Sequence, residues 1–252
     1  MNKITVQVGN DTLEIFQLPL DKSDCFKKNE RCEPKMWGDH ESGKVNPRIS
    51  RYAGPDDGQI GENKYGNDWN QSDCRVAPNC IVGKDKDGIV RTYQLLPWDM
   101  CPWLHGGRAN KMGCPGGETA RGAADDIEYF NESYRQKVLI AAYVCKTYNI
   151  PVHSVICHAE GCTCEVMSNH NDTKDYYGAF GKSPETFRQD IERVLGEWDV
   201  PATYIIDNEG EGLSYFSAPR WQDGDRWLGS TAALKPDGTP HEIEVISRID
   251  PV

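Results

Sequence analysis

The chain has 252 residues and carries 28 Lys and Arg against 39 Asp and Glu, a formal net charge of −11. That balance speaks against a nucleic-acid partner, which needs clustered cations, and a content of 38% hydrophobic residues speaks against a disordered chain. No apolar run approaches the roughly 20 residues of a membrane helix, so no membrane insertion is expected. The opening stretch MNKITVQVGNDTLEIF has no long apolar core, so no signal peptide is read there. A cytoplasmic location, with reduced thiols at the ten cysteines, is the matching expectation.

Along the chain, residues 80–83 (CIVG) and 89–96 (IVRTYQLL) flank DKDG and predict a β-hairpin. Residues 131–150 place Tyr134, Val138, Ala141, Cys145 and Tyr148 on one stripe, which predicts an amphipathic helix. The β-branched run PVHSVICH follows at residues 151–158 and predicts a buried strand ending at His158. A second helix is predicted over residues 183–195, with Ser183 as cap, Pro184 in the first turn and Phe187, Ile191 and Val194 at helical spacing. Strands mixed with helices predict an α/β or α+β domain over residues 1–199. From residue 200 to 252 the short runs TYIID, LSYF, RWLG and IEVIS predict a small all-β module, with nine acidic residues against four basic ones.

The six histidines narrow the chemistry. His158 closes the apolar run, and His170 and Asp172 lie together in SNHNDTKDYY. Two imidazoles and one carboxylate with a position left for water make a catalytic zinc site. By spacing alone, each His reads first as a hydrogen-bonded or surface side chain. Cys157, Cys162 and Cys164 flank His158 and offer two rivals, a structural zinc site or a nucleophilic thiol with His as base. Adjacent residues on a strand face opposite sides, which argues against a Cys157–His158 pair.

The strings RYAGPDDGQIGENKYGNDWN (51–70), YQLLPW (93–98), ICHAEG (156–161) and SNHNDTKDYY (168–177) resemble the zinc N-acetylmuramoyl-L-alanine amidases. That group includes peptidoglycan recognition proteins and phage endolysins, and the likeness runs over residues 25–195. The resemblance implies a mixed central sheet with flanking helices, a bound zinc ion and bacterial peptidoglycan as partner. It implies His40, His158 and Asp172 as the metal ligands, Glu118 as the acid–base and His170 as a donor to the oxyanion. Zinc would bring the pKa of a water down to about 7, and the resulting hydroxide would attack the lactyl amide. It further implies an endolysin, held in the cytoplasm until host lysis and then acting on the cell wall.

The chain departs from that pattern at several places. MWGDH puts Gly38 and Asp39 where an apolar strand is usual, Pro78 and Asn79 replace an aromatic–His pair, and His105 stands one position from the usual Trp–His. GCPGGETARG is rich in Gly, so Glu118 reads equally as a loop carboxylate. A catalytically impaired peptidoglycan binder is therefore an alternative, and a structural-zinc interaction protein a second one. Residues 211–230, EGLSYFSAPRWQDGDRWLGS, loosely resemble bacterial Src-homology-3-type wall-binding modules, which implies a small β-barrel. Its aromatics Tyr204, Tyr215, Phe216, Trp221 and Trp227 would either stack on ligand or fill the core.

Overall fold

The computed structural model describes residues 1–54, 58, 60–199, 203–207 and 213–217. The chain divides into two compact units, Met1–Trp198 and Asp199–Val252. The larger is built on strands β1 (Asn2–Val8), β2 (Asp11–Gln17), β3 (Trp37–Glu41), β4 (Cys80–Lys84), β5 (Val90–Gln94), β6 (Gly116–Thr119) and β7 (Val155–Cys157). These form one sheet in the order β1-β2-β5-β4-β6-β3-β7. The β1–β2 and β4–β5 pairs are antiparallel, while β4, β6, β3 and β7 run parallel to one another. Helices α1 (Asp24–Lys28), α2 (Ile127–Tyr148), α3 (His158–Thr163), α4 (Lys174–Gly178) and α5 (Pro184–Asp199) complete the unit. The fold is therefore a mixed sheet with flanking helices.

The predicted hairpin is β4–β5, and its turn is held by the Asp85 side chain, which accepts from the backbone N–H groups of Asp87 and Ile89, each at 2.9 Å. Tyr134, Val138, Ala141 and Cys145 of the α2 stripe are buried as the periodicity requires and Tyr148 is half-buried, but Leu139, Ile140, Ala142 and Val144 are buried as well. The helix is covered nearly all round because α5, through Phe187, Ile191 and Val194, shares its core with α2 and with Val8, Leu13 and Ile15 of the β1–β2 hairpin. A second core, with Ile49, Tyr52, Trp69, Ile81 and Tyr93, fills the other side of the sheet. Cys80 belongs to the first core and Ile81 to the second, as the twofold repeat of a strand dictates.

One reading left open is decided, and one local expectation is corrected. The Gly-rich segment around Glu118 is a central strand, not a loop. A Cβ on Gly116 would lie 2.6 Å from Leu104 Cδ2, and one on Gly117 would lie 2.7 Å from Cys80 Sγ and 3.0 Å from Lys137 Cε. Both faces of β6 are so closely approached that only glycine fits, and ladders to β3 and β4 supply the order that propensity lacks. The run PVHSVICH yields a strand of only three residues: Val152–Ser154 form a 3₁₀ turn, and His158 opens α3 instead of closing β7.

Among the described residues, no helix is long and apolar enough to cross a membrane. In the smaller unit, β8 (Thr203–Asp207) and β9 (Leu213–Ser217) form an antiparallel hairpin. The runs RWLG and IEVIS, with Trp221 and Trp227, and most of the expected barrel lie outside the described residues.

Candidate functional site

Because β6, β3 and β7 are parallel neighbours, their carboxyl ends lie along one edge of the sheet, where open α/β sheets offer a crevice. His40 is the fourth residue of β3, and Glu118 is its partner on β6, so both point from the same face. His158 follows β7 directly as the first residue of α3. Asp172 arrives from the segment ahead of α4, whose backbone is docked by the Ala159 N–H donating to the Asp172 carbonyl at 3.1 Å.

Three donors meet there. His158 Nδ1 lies 3.0 Å from His40 Nδ1 and 3.4 Å from Asp172 Oδ1, and His40 Nδ1 lies 3.2 Å from Asp172 Oδ2. Among the described residues this is the one group of three that could hold a metal ion. Zinc bonds of about 2.0–2.1 Å at tetrahedral angles separate neighbouring donors by about 3.3 Å. The two imidazole nitrogens, and the carboxylate oxygen nearest to each of them (Oδ1 for His158, Oδ2 for His40), stand at separations of that order, so the donor types and their spacing fit a zinc ion.

The electrostatics agree with that donor set. Burial lowers the His40 pKa against the opposing pull of Asp172, which favours the neutral imidazole a metal needs. Burial works to raise the Asp172 carboxyl, but the imidazoles of His158 and then His40 beside it hold it far below the usual carboxylate range. Burial first, and the Asp172 charge second, push Glu118 well above its ordinary value. Glu118 is 7% exposed, and its Oε2 is buried with no hydrogen-bond partner among the described residues.

Further side chains brace the donors. Ser168 Oγ lies 3.0 Å from His158 Nε2, and His105 Nδ1 lies 2.8 Å from His40 Nε2. On the opposite face of the sheet, Lys137 of α2 donates to the His40 carbonyl at 3.0 Å and sits 3.0 Å from Asp39 Oδ1. Asp39 Oδ2 accepts from the Tyr177 hydroxyl at 2.6 Å and from Thr173, next to Asp172, at 3.1 Å.

All five expected site residues thus have defined places. His40, His158 and Asp172 converge. Glu118 shares their face of the sheet. His170 is adjacent but open: its side chain is 65% exposed, its Nδ1 lies 3.9 Å from Asp172 Oδ1, and its ring stacks on His158 at 4.9 Å. Among the described residues, Cys162 and Cys164 join no group of three ligands. Sequence reasoning passed over Ser168 and Lys137 and met Asp39 and His105 only as departures from the family pattern. The Lys137 signal was readable, since it lies three residues after Tyr134 and four before Ala141, on the apolar side of α2.

No protein-family model matches the chain. No curated protein matches it either. Among solved structures it is similar to Staphylococcus aureus hydrolase AmiA in complex with its ligand, at 14% identity and a TM-score of 0.53, over 72% of this chain and 82% of that one. It is also similar to the PlyG catalytic domain, at 17% identity and a TM-score of 0.48, over 73% of this chain and 96% of that one. A mutant endolysin from Bacillus subtilis matches at 15% identity and a TM-score of 0.46, over 71% and 99% of the two chains. At such identities the first likeness shows a shared fold and nothing finer, and the two lower scores carry no argument.

Proposed function

We propose that the chain is a zinc-dependent peptidoglycan hydrolase of the endolysin type. It cleaves the amide between N-acetylmuramic acid and the L-alanine of the stem peptide. The observation that carries this reading is the convergence of His40, His158 and Asp172, with the two imidazole Nδ1 atoms 3.0 Å apart and each within 3.4 Å of an Asp172 oxygen, at the carboxyl edge of three parallel strands. The fold shared with a staphylococcal hydrolase supports it.

His40, His158 and Asp172 would hold the metal. Bound zinc would supply a Lewis acid that polarises the amide carbonyl and acidifies a water. Glu118 would take the proton of the attacking water at Oε2, the atom left without a partner, and deliver it to the leaving alanine nitrogen. Burial raises its pKa above the ordinary carboxylate range, the direction that strengthens a general base. The exposed His170 would donate a hydrogen bond to the oxyanion, whether neutral or protonated. Residues 1–199 would be the catalytic domain and residues 200–252 a wall-binding module. The enzyme would stay in the cytoplasm until host lysis and then act on the wall.

A zymogram on purified cell wall, with and without chelator, tests the reading. Clearing that is lost on chelation and restored by zinc, with free L-alanine amino termini in the product, is expected. A binder without activity would clear nothing in either lane, and the hydrolase reading would then be abandoned. Cys162→Ala should leave zinc uptake intact, whereas Asp172→Ala should remove it; the reverse would favour a structural site built on the cysteines.

A further inference from the structure

A slot in the sheet holds an imidazole behind the His40 ring. Gly38 on β3 and Gly116 on β6 are cross-strand partners, and neither has a side chain. The space they leave is filled by His105, which is fully buried. A Cβ on Gly38 would fall on the His105 Cε1 atom and 3.0 Å from its Nδ1, and one on Gly116 would lie 3.0 Å from the same Cε1. The ring is fixed at both ends. Nε2 lies 2.7 Å from the Cys114 carbonyl oxygen, and Nδ1 lies 2.8 Å from His40 Nε2. The backbone N–H of His105 donates to Asn110 Oδ1 at 2.8 Å, and its carbonyl accepts from the Ser168 N–H at 2.9 Å.

The proton positions follow in order. A carbonyl oxygen can only accept, so His105 Nε2 must carry the hydrogen. A neutral ring with its hydrogen on Nε2 has a bare Nδ1, which can only accept. His40 Nε2, at 2.8 Å from that atom, must therefore donate, which leaves His40 Nδ1 bare. That is the atom 3.0 Å from His158 Nδ1 and 3.2 Å from Asp172 Oδ2. We infer that His105 is a positioning residue: seated in the Gly38–Gly116 slot, it relays the polarity of the Cys114 carbonyl and fixes His40 in the tautomer whose Nδ1 faces the other two donors. The glycine that interrupts the apolar pattern of β3 is then the residue that makes room for the relay.

Its effect on metal affinity rests on the zinc site proposed above, but the tautomer itself does not. Imidazole proton–nitrogen NMR spectra of the metal-free, full-length chain should therefore be recorded first. Both His40 and His105 should carry their hydrogen on Nε2. A His40 hydrogen on Nδ1 would overturn the inference, whether or not the protein takes up zinc. Zinc affinity by chelator competition is the second arm. His105→Leu keeps bulk but has no acceptor and should weaken zinc binding about 10- to 100-fold, whereas His105→Gln, whose amide oxygen can accept, should stay within roughly threefold of the parent. Gly38→Ala, which crowds the ring and leaves both histidines in place, should behave like His105→Leu. Equal affinity for all three variants and the parent would sink the relay. A parent that takes up no zinc would instead count against the proposed function.

Discussion

Lys137 and Asp39 form an ion pair that is fully buried beneath the candidate site, with Nζ 3.0 Å from Oδ1 and side chains 0% and 1% exposed. The pair joins α2 to β3, and it reaches the backbone or the neighbour of two of the three converging residues. Lys137 reaches the His40 carbonyl, and Asp39 reaches Thr173, the residue after Asp172. Removing one partner strands a buried charge. Lys137→Met should therefore cost about 3–5 kcal/mol of stability in urea unfolding, and the double variant Asp39→Asn with Lys137→Met should recover much of the loss. A single variant that loses less than about 1 kcal/mol would show that the pair holds nothing in place.

Zinc should stabilise the folded chain by mass action. At a free concentration one hundred times its dissociation constant the gain is about 2.7 kcal/mol, seen as a higher midpoint in thermal unfolding. Asp172→Ala should abolish that gain. A parent whose midpoint is the same with zinc and with chelator would be incompatible with a ligand triangle at His40, His158 and Asp172.

Glu118→Gln separates chemistry from metal holding. Turnover should fall about 10²- to 10⁴-fold while zinc uptake is retained. The same variant has a stability signature without metal. A carboxyl raised on folding binds its proton more tightly in the folded state, so its contribution is fullest below the unfolded value and is lost as pH rises through the folded one. The parent should lose stability over that rise above about pH 4.3, and Glu118→Gln should lose less. Parallel pH–stability curves for the two proteins would contradict the buried placement of this carboxyl.

Arg188 braces the turn that presents His158. From α5 its guanidinium donates to both oxygens of Glu160 at 2.9 Å each, while Glu160 Oε2 also accepts from the Cys157 N–H at 3.0 Å. Burial works to raise Glu160, but the Arg188 hydrogen bonds leave it below its ordinary value. A depressed carboxyl stabilises the fold above its unfolded pKa, and that help disappears as pH falls through the folded value. Arg188→Ala should cost about 1–2 kcal/mol at neutral pH, with Arg188 and Glu160 side chains 19% and 34% exposed, and should flatten the acid limb of the stability curve. Unchanged acid sensitivity would remove Glu160 from this role.

The sequence by itself determined the elements whose signal is local. The spacing of Tyr134, Val138, Ala141 and Cys145 specifies α2, Ser183 and Pro184 specify the start of α5, and DKDG specifies the β4–β5 turn, because periodicity, capping and turn chemistry act over a few residues. The ligand positions could be ordered along the chain by resemblance, but their meeting could not be read there. His40 and Asp172 are 132 positions apart, and only the parallel pairing of β3 with β7 and the docking of the Asp172 segment bring them to 3.2 Å. The structure also decided what the irregular residues are for. Gly116 and Gly117 look like loop residues until the side chains crowding them from neighbouring strands and α2 are seen, and Gly38 and Asp39 look like flaws until His105 and Lys137 are found against them. The physical reason is the same in each case: a side chain's packing space and its charge partner are supplied by residues distant in sequence, so composition near the position holds no record of them.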